Sequence, residues 1–525
     1  MKGACEMKRG KRAVSAALAV AMVFTCLTGC GKGKKSAEGT STTDVEIAYW
    51  NSGLGTDWLD EMIEAFTEKH PEYNVYYKAS ADDSAIMSTL GMEEVDTVDI
   101  YMGLSSYDTT YLEPFDSLLE TTCEGDSKKL SEKFDEKYLE LIKKADGHYY
   151  GLPFAGGIMG IVYNKDLFEK AEIEQTPRTT DELAAVCDEL YNAGIPATTH
   201  FKSTAGGYWE FMTDGWVAQY CGIDYYLNNL YADTDENGNS PSKEVMMNKE
   251  DGRYQTLCAY EKFITPDYVL SGSNTNDHIT SQTMFVNGEV AMMANGSWLS
   301  NEMDMNEAGE KFGVMRTPIL SAIKDKLETV NSESVLRKLV SAIDSVTDGE
   351  KQLSDYAAEG GYDIEGTVIS EADWNTVADA RNALNVTFSG QHCLVPTYSN
   401  AKEGAMAFLE FLYSDEGYAI YTDEIHAVLP MSLSEGEVDT SDWTAFEKQF
   451  YELYQDATYF VSGTNGKRHD IYINGGANIF AGCTNFISYF CAKNPADRMT
   501  ADDVWEKMMT EIEDNYEKNW VVNIQ

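Results

Sequence analysis

The order strand, helix, strand, helix, strand between residues 45 and 102 limits the fold more than any other feature. Residues 45–50 alternate apolar and polar side chains as a strand does. His70-Pro71 ends the helix that follows, whose apolar face consists of Trp58, Leu59, Met62, Ile63 and Phe66. Strand patterns return at 75–77 and 98–102, with a helical stretch between them. This order predicts an α/β fold with a mainly parallel sheet and right-handed crossovers.

A second set of signals begins near Gly147 and predicts a second folding unit. Residues 149–154 and 160–164 have the pattern of strands. Thr179 and Glu182 are spaced as a capping box, and the helical stripe that follows is Leu183, Val186, Cys187 and Leu190. The chain of 525 residues is long enough for two or three domain-sized cores.

The N-terminal segment has the pattern of an export signal. Several basic residues precede an apolar run over 13–27, which is too short to span a membrane. Its ending, Leu27-Thr28-Gly29-Cys30, resembles a bacterial lipoprotein signal. The resemblance implies cleavage after residue 29 and lipidation of the Cys30 sulfur. The alternative is an ordinary secretory peptide with a chance cysteine. Residues 1–29 are thus interpreted as signal peptide and 30–43 as a flexible tether.

The charge balance restricts the class of partner. The chain has 40 basic and 87 acidic residues, a net charge of −47. Such a field opposes binding of nucleic acid and disfavours strongly anionic ligands. With 43% apolar residues, the chain is expected to fold.

Four sequence blocks together resemble the extracellular solute-binding proteins, family 1 type, of carbohydrate ABC importers. The blocks are "YYGLPFAGGIMGIVYNKDLFEKAEIEQTPRTTDEL" at 149–183, "FVNGEVAMMANGSW" at 285–298, "KFGVMRTPI" at 311–319 and "KEGAMAFLEFLYSDEG" at 402–417. The resemblance implies a two-lobed, periplasmic-binding-protein-like fold of type II. Its hinged lobes are expected to have central, mainly parallel sheets and to close around a ligand.

The same resemblance implies a division of the chain. Crossovers between the lobes are expected near the 150s and the 290s. Lobe 1 is predicted to comprise 44–150 and 297–395, with an extra helical insertion at about 320–385. Lobe 2 and the C-terminal helices are predicted to comprise 151–296 and 396–525.

A sugar cleft needs aromatic platforms for the C–H face of the sugar and amides or carboxylates for its hydroxyl edge. Such residues are expected after the carboxyl ends of strands. The predicted ligand-binding residues are Trp50, Asn51, Tyr107, Asp108, Trp209, Trp298 and Asn478. Core packing is the alternative for Trp209 and Trp298. Gly156-Gly157 would either leave room for a bulky ligand or allow close approach of the backbone.

Function follows from the signal, the lobe pattern and the aromatic candidates taken together. We predict a non-enzymatic, monomeric binding lipoprotein, anchored outside the cytoplasm to the cell membrane. It is expected to deliver a carbohydrate, with an oligosaccharide favoured, to the membrane subunits of an ABC permease. The alternatives are a surface glycoside hydrolase, which also uses carboxylates, or a protein that presents its ligand to a membrane sensor.

No cofactor is predicted, with one alternative. Asp233, Asp235, Asn237 and Gly238, followed by Glu244, have the spacing of a calcium-binding loop. A surface turn rich in Asp and Asn fits the same residues.

Overall fold

The computed structural model describes residues 42–51, 53–104, 107–144, 146–203, 206–230, 244, 247–305, 309–461 and 486–515. Cys30, Asn478 and residues 233–243 lie outside these ranges, so the lipidation site, one ligand-binding residue and most of the calcium loop stay predictions. No described helix is both long enough and apolar enough to cross a membrane.

Lobe 1 is built on a five-stranded sheet. The strands lie in the order Tyr73–Ser80, Thr43–Trp50, Ile100–Leu104, Gln391–Leu394 and Leu152–Ala155. Three helices cover it: Asp57–Lys69, Lys402–Leu412 and Asp415–Ile425. The apolar periodicity predicted for the first of these helices is confirmed, because Trp58, Leu59, Met62 and Phe66 are all buried.

Lobe 2 is built on a four-stranded sheet. Its strands lie in the order Thr198–Thr199, Met292–Gly296, Met159–Asn164 and Phe312–Met315. The longer helices of this lobe are Thr180–Asn192, Trp209–Cys221, Arg253–Phe263 and His278–Val286. Two later helices are Ala445–Asp456, which packs beside Phe312–Met315, and Ala501–Asn515, which packs on Arg253–Phe263.

The two-lobed α/β fold is confirmed, but the sheets are mixed and not mainly parallel. Gln391–Leu394 runs antiparallel to both of its neighbours in lobe 1. Met159–Asn164 runs antiparallel to both of its neighbours in lobe 2. Both strands begin at the hinge, because the chain crosses from one lobe to the other just before each of them. Their neighbours end at the hinge and therefore run in the opposite direction.

The lobes are joined where two crossover segments lie side by side. Residues 156–158 connect the two large sheets directly, as expected near the 150s. The second crossover is at 387–390 and not near the 290s, since Met292–Gly296 belongs entirely to lobe 2. Thr387 Oγ1 accepts a hydrogen bond from the backbone N–H of Gly157 at 2.9 Å, and the Thr387 N–H donates to the Gly157 carbonyl at 2.9 Å.

Strand pairing and helix packing correct the predicted division of the chain. Phe312–Met315, predicted in lobe 1, pairs with Met159–Asn164 in lobe 2. Lys402–Leu412, predicted in lobe 2, packs on the first strand and first helix of lobe 1. Both segments resemble family blocks, but the blocks carry no information about the side of the hinge on which they lie.

The insertion at 320–385 is mainly helical, as predicted, but it also contains strands. Its long helices are Glu333–Thr347 and Glu371–Asn382. Between them lies a small antiparallel sheet of Ala357–Ala358, Gly361–Ile364 and Thr367–Ile369. Ala383–Val386 then pairs in parallel with Thr458–Val461. The insertion was predicted in lobe 1, but it extends the core of lobe 2, since Leu336, Leu339, Val340 and Trp374 are buried together with residues of that lobe.

Candidate functional site: the cleft between the lobes

Strand direction brings the predicted binding loops to the hinge side of each sheet. In lobe 2, Gly296 pairs with Met159, so the strand before Trp298 ends beside the first crossover. In lobe 1, Leu104 pairs with Gln391, so the strand before Tyr107 ends beside the second crossover. The loops after these strand ends therefore face the groove between the lobes, where open α/β sheets bind ligands.

Three rings of lobe 2 form an aromatic group at this groove: Tyr208, Phe211 and Trp298. The ring centroids of Tyr208 and Trp298 are 5.5 Å apart and those of Phe211 and Trp298 are 6.3 Å apart, both with nearly perpendicular rings. All three side chains are half-buried. The group therefore keeps partly accessible aromatic surface, as a sugar platform requires.

The lack of a Cβ atom at nearby glycines allows the Trp298 ring to lie close to the hinge backbone. A Cβ atom placed on Gly157 would lie 2.4 Å from the Trp298 ring, and one on Gly296 would lie 2.3 Å from it. A Cβ atom on Gly156 would lie 2.4 Å from the Phe388 ring. The small residues at 156–157 therefore allow close approach of aromatic rings to the backbone. They do not leave open space for a bulky ligand.

Backbone strain marks the start of the helix that carries the aromatic group. Tyr208, the residue before Trp209–Cys221, has φ 73° and ψ −13°, a left-handed conformation that a tyrosine adopts at a cost. Gly206 and Gly207 before it also have positive φ. Strain of this kind in a non-glycine residue is concentrated at functional sites.

Two carboxylates accompany the rings. Glu302 Oε2 accepts a hydrogen bond from Gln282 Nε2 at 2.7 Å. Burial raises the pKa of Glu302, and burial raises the pKa of Glu210 to about 7. After burial itself, the charges of Glu302 and Glu210 raise the pKa of Tyr208 further.

Lobe 1 reaches this site through the loop after its first strand. A Cβ atom on Gly53 would lie 3.5 Å from Glu302 Cγ, so the loop lies against lobe 2. The predicted binding residue Asn51 has a buried Oδ1 atom without a hydrogen-bond partner among the described residues. Trp50, half-buried, donates from Nε1 to the Ala81 carbonyl at 3.1 Å. These positions are compatible with the predicted ligand-binding roles, which stay predictions.

The other two lobe 1 candidates have structural partners. Tyr107 lies with its hydroxyl 3.3 Å from His392 Nδ1, and Tyr138 bonds the opposite nitrogen of that ring at 3.0 Å. The Tyr107 side chain is half-buried, and Lys144 Nζ lies 4.9 Å from the centroid of its ring. Asp108 is exposed and accepts a hydrogen bond from the Thr110 N–H at 2.9 Å, as the cap of a short helical turn.

Trp209 is a core residue, so its predicted role in ligand binding is wrong. Its side chain is 1% exposed, and Nε1 donates to the Thr199 carbonyl at 3.0 Å. The rings of Tyr260 and Phe263 cover it within lobe 2. A ring enclosed in this way has no face to offer a solute.

Glu210, Phe211, Gln282 and Glu302 are not among the residues predicted from the sequence. A signal existed for Glu210 and Phe211. Gly206-Gly207 directly before an aromatic residue and a helix indicates an unusual backbone turn. Gln282 and Glu302 gave no signal, because polar residues in helices are common on any solvated surface.

The raised pKa of Glu210 predicts a pH-dependent stability. The folded chain holds this proton more tightly than the unfolded chain, so the free energy of unfolding falls as pH rises from about 4.5 to about 7. Glu210→Gln should remove that part of the fall, on the order of 2 kcal/mol. Urea unfolding at about pH 5 and about pH 8 measures it. Glu169→Gln, at an exposed carboxylate, is the control. Equal pH dependence in both variants contradicts the assignment.

Sequence comparison identifies a protein family whose sequence model matches most of the chain. A sequence model described as "Bacterial extracellular solute-binding protein" matches residues 52–419. A putative binding protein of Brucella abortus (strain 2308) is 24% identical over 279 residues, which are 52% of this chain and 62% of that protein. The chain thus spans less than two thirds of the length of that relative.

Two further proteins extend the comparison. The maltotriose-binding protein of Pyrococcus abyssi (strain GE5 / Orsay) is 28% identical over 218 residues, 40% of each chain. The GacH receptor of Streptomyces glaucescens, solved unliganded and with acarbose, superposes with a TM-score of 0.55 over 91% of this chain and 99% of its own, at 14% identity. That identity shows a shared fold alone.

Proposed function

Because the chain belongs to the bacterial extracellular solute-binding protein family, we propose that it captures a carbohydrate between its lobes and delivers it to an ABC permease. An oligosaccharide is the favoured ligand. The family places the protein outside the cytoplasm and consists of binding components without catalytic activity. The carbohydrate class is supported by the maltotriose-binding relative.

The observation that carries the proposal is the aromatic group at the hinge side of lobe 2. Tyr208, Phe211 and Trp298 supply partly accessible rings, and Glu302 supplies acceptors for hydroxyl groups. A sugar presents both a C–H face and a hydroxyl edge, so it matches this pairing of surfaces. Asn51 and the loop around Gly53, which lies beside Glu302, would complete this surface from lobe 1.

Anchoring is part of the proposal. Residues 1–29 are proposed to be removed, with Cys30 lipidated and residues 30–43 as the tether. Two or more acyl chains, at about 0.8 kcal/mol for each buried methylene, hold a protein at a membrane durably. Mass spectrometry of the protein purified from membranes tests this. An unmodified Cys30 after cleavage elsewhere contradicts it.

Calorimetry over mono- and oligosaccharides tests the ligand class. A micromolar dissociation constant, about −8 kcal/mol, is expected for at least one oligosaccharide, since capture must be reversible on the permease. Binding of peptides or polyamines, with no response to any sugar in a broad panel, contradicts the carbohydrate assignment.

Trp298→Ala is expected to weaken binding of the tightest saccharide by about 1–3 kcal/mol. The ring is the part of the aromatic group that contacts both the hinge and its two aromatic neighbours, so its loss removes stacking area. Titration calorimetry measures the change. Tyr191→Ala is the matched control, because Tyr191 is a 50% exposed aromatic residue on another helix of lobe 2. Unchanged affinity in a folded Trp298→Ala variant would make Trp298 a structural residue only.

A further inference from the structure

We infer that the cleft binds its carbohydrate through a protonated amino group, so that the solute is an amino sugar or an oligosaccharide that contains one. The inference rests on the proposed function and adds the chemical class of the ligand. Its basis is a set of hydrogen-bond acceptors, the acceptor group, which consists of Gln282 and Glu302 in lobe 2 and Asn51 in lobe 1.

Gln282 gives the first indication that a donor is missing. Its side chain is 0% exposed, and its Nε2 atom donates to Glu302 Oε2 at 2.7 Å. This bond fixes the amide beside the carboxylate. The Oε1 atom of the same amide is buried without a hydrogen-bond partner among the described residues. Native proteins rarely leave a buried carbonyl oxygen without a donor, so a donor from a ligand is expected here.

Asn51, on the lobe 1 side, has the same deficiency. Its Oδ1 atom is also a buried acceptor without a partner in the described ranges. His278 lies near enough to lower the pKa of Glu302, but no described lysine or arginine forms an ion pair with this carboxylate. The site therefore offers acceptors and negative charge. A solute with carboxylate or phosphate groups would add like charge and supply no donors, so the site selects against it.

An ammonium group satisfies this site better than a hydroxyl group does. A hydroxyl donates one hydrogen bond and leaves the Glu302 charge uncompensated. An ammonium donates three, and its bonds to carboxylates are charge-assisted and roughly twice as strong as neutral ones. The neighbouring rings of Tyr208 and Trp298 add cation–π attraction. The net charge of −47 also raises the local concentration of cationic solutes.

Four trisaccharides of similar size test the inference by calorimetry at about pH 6.5. They are the trimers of glucosamine, N-acetylglucosamine, glucose (maltotriose) and galacturonic acid. The glucosamine trimer is expected to bind at least tenfold tighter than the two neutral trimers, and the galacturonic acid trimer not at all. Tighter binding of a neutral or anionic trimer overturns the inference and leaves the proposed function standing. Failure of these and all other saccharides overturns both.

Charge-removing variants assign the effect to the acceptor group. Glu302→Gln is expected to lower affinity for the glucosamine trimer at least tenfold and to leave the neutral trimers within about threefold. The control is Glu289→Gln, which removes the same charge from an exposed side chain of lobe 2. Equal losses in both variants indicate only the long-range field and overturn the inference. Unchanged thermal midpoints show that the variants fold, and Gln282→Met, which removes the unpaired Oε1 acceptor, serves if Glu302→Gln does not.

Discussion

Lys133→Met is expected to lower the free energy of unfolding by about 3–5 kcal/mol, because it leaves a buried carboxylate without its cation. The Lys133 side chain is 0% exposed, and its Nζ atom lies 2.6 Å from Asp126 and 2.7 Å from Asp415. It also donates to the Tyr413 carbonyl at 2.8 Å. The lysine thus joins the helix Leu130–Lys133 to the start of Asp415–Ile425 in lobe 1. Methionine keeps the unbranched shape but supplies no charge and no donor.

A second lysine on the same turn provides the matched control for this result. Lys129 Nζ also lies 2.6 Å from a carboxylate, that of Glu120, but these side chains are 48% and 65% exposed. Solvent screens such a pair, so Lys129→Met should cost at most about 1 kcal/mol. Urea unfolding followed by circular dichroism compares the two variants. Similar losses for both would show that burial does not determine the strength of the Lys133 network.

Gly157→Ala is expected to impair both folding and binding. The φ angle of Gly157 is not positive, so alanine is acceptable to the backbone there. The conflict is with Trp298, whose ring atoms would lie 2.4 Å from the new methyl group. Overpacking of this kind costs about 1–3 kcal/mol of stability. Displacement of the ring should also lower affinity for the tightest saccharide about tenfold or more, or at least 1.4 kcal/mol.

Two comparisons attribute these losses to the ring. Gly390→Ala alters the neighbouring crossover, where a Cβ atom would have no neighbour within 4 Å, and should change neither property. In the double variant Gly157→Ala/Trp298→Ala, the added methyl group has no ring to displace. Its stability cost should therefore be much smaller than in the single variant, which a double-mutant cycle measures. An additive cycle would mean that Gly157 acts through the hinge backbone and not through Trp298.

The cleft residues differ in how far sequence could identify them. Trp209 and Trp298 each follow a glycine-containing turn, and both were equally good candidates for a platform. The structure encloses Trp209 beneath Tyr260 and Phe263 and leaves Trp298 half-buried at the hinge. The difference arises from contacts with residues more than fifty positions away, which no local pattern records.

Local chemistry in the sequence was sufficient for the elements and the family. The apolar spacing of Asp57–Lys69 defined its buried face, and Thr179 accepts the predicted capping bond from the Glu182 N–H at 3.2 Å. Such features depend on residues three or four positions apart, so they can be recognised in the sequence alone. Only the tertiary structure decided that Phe312–Met315 belongs to lobe 2, that the second crossover is at 387–390 and that glycines hold the Trp298 ring. Those outcomes depend on strand pairing and ring packing between distant segments, whose energies exist only once the segments are in contact.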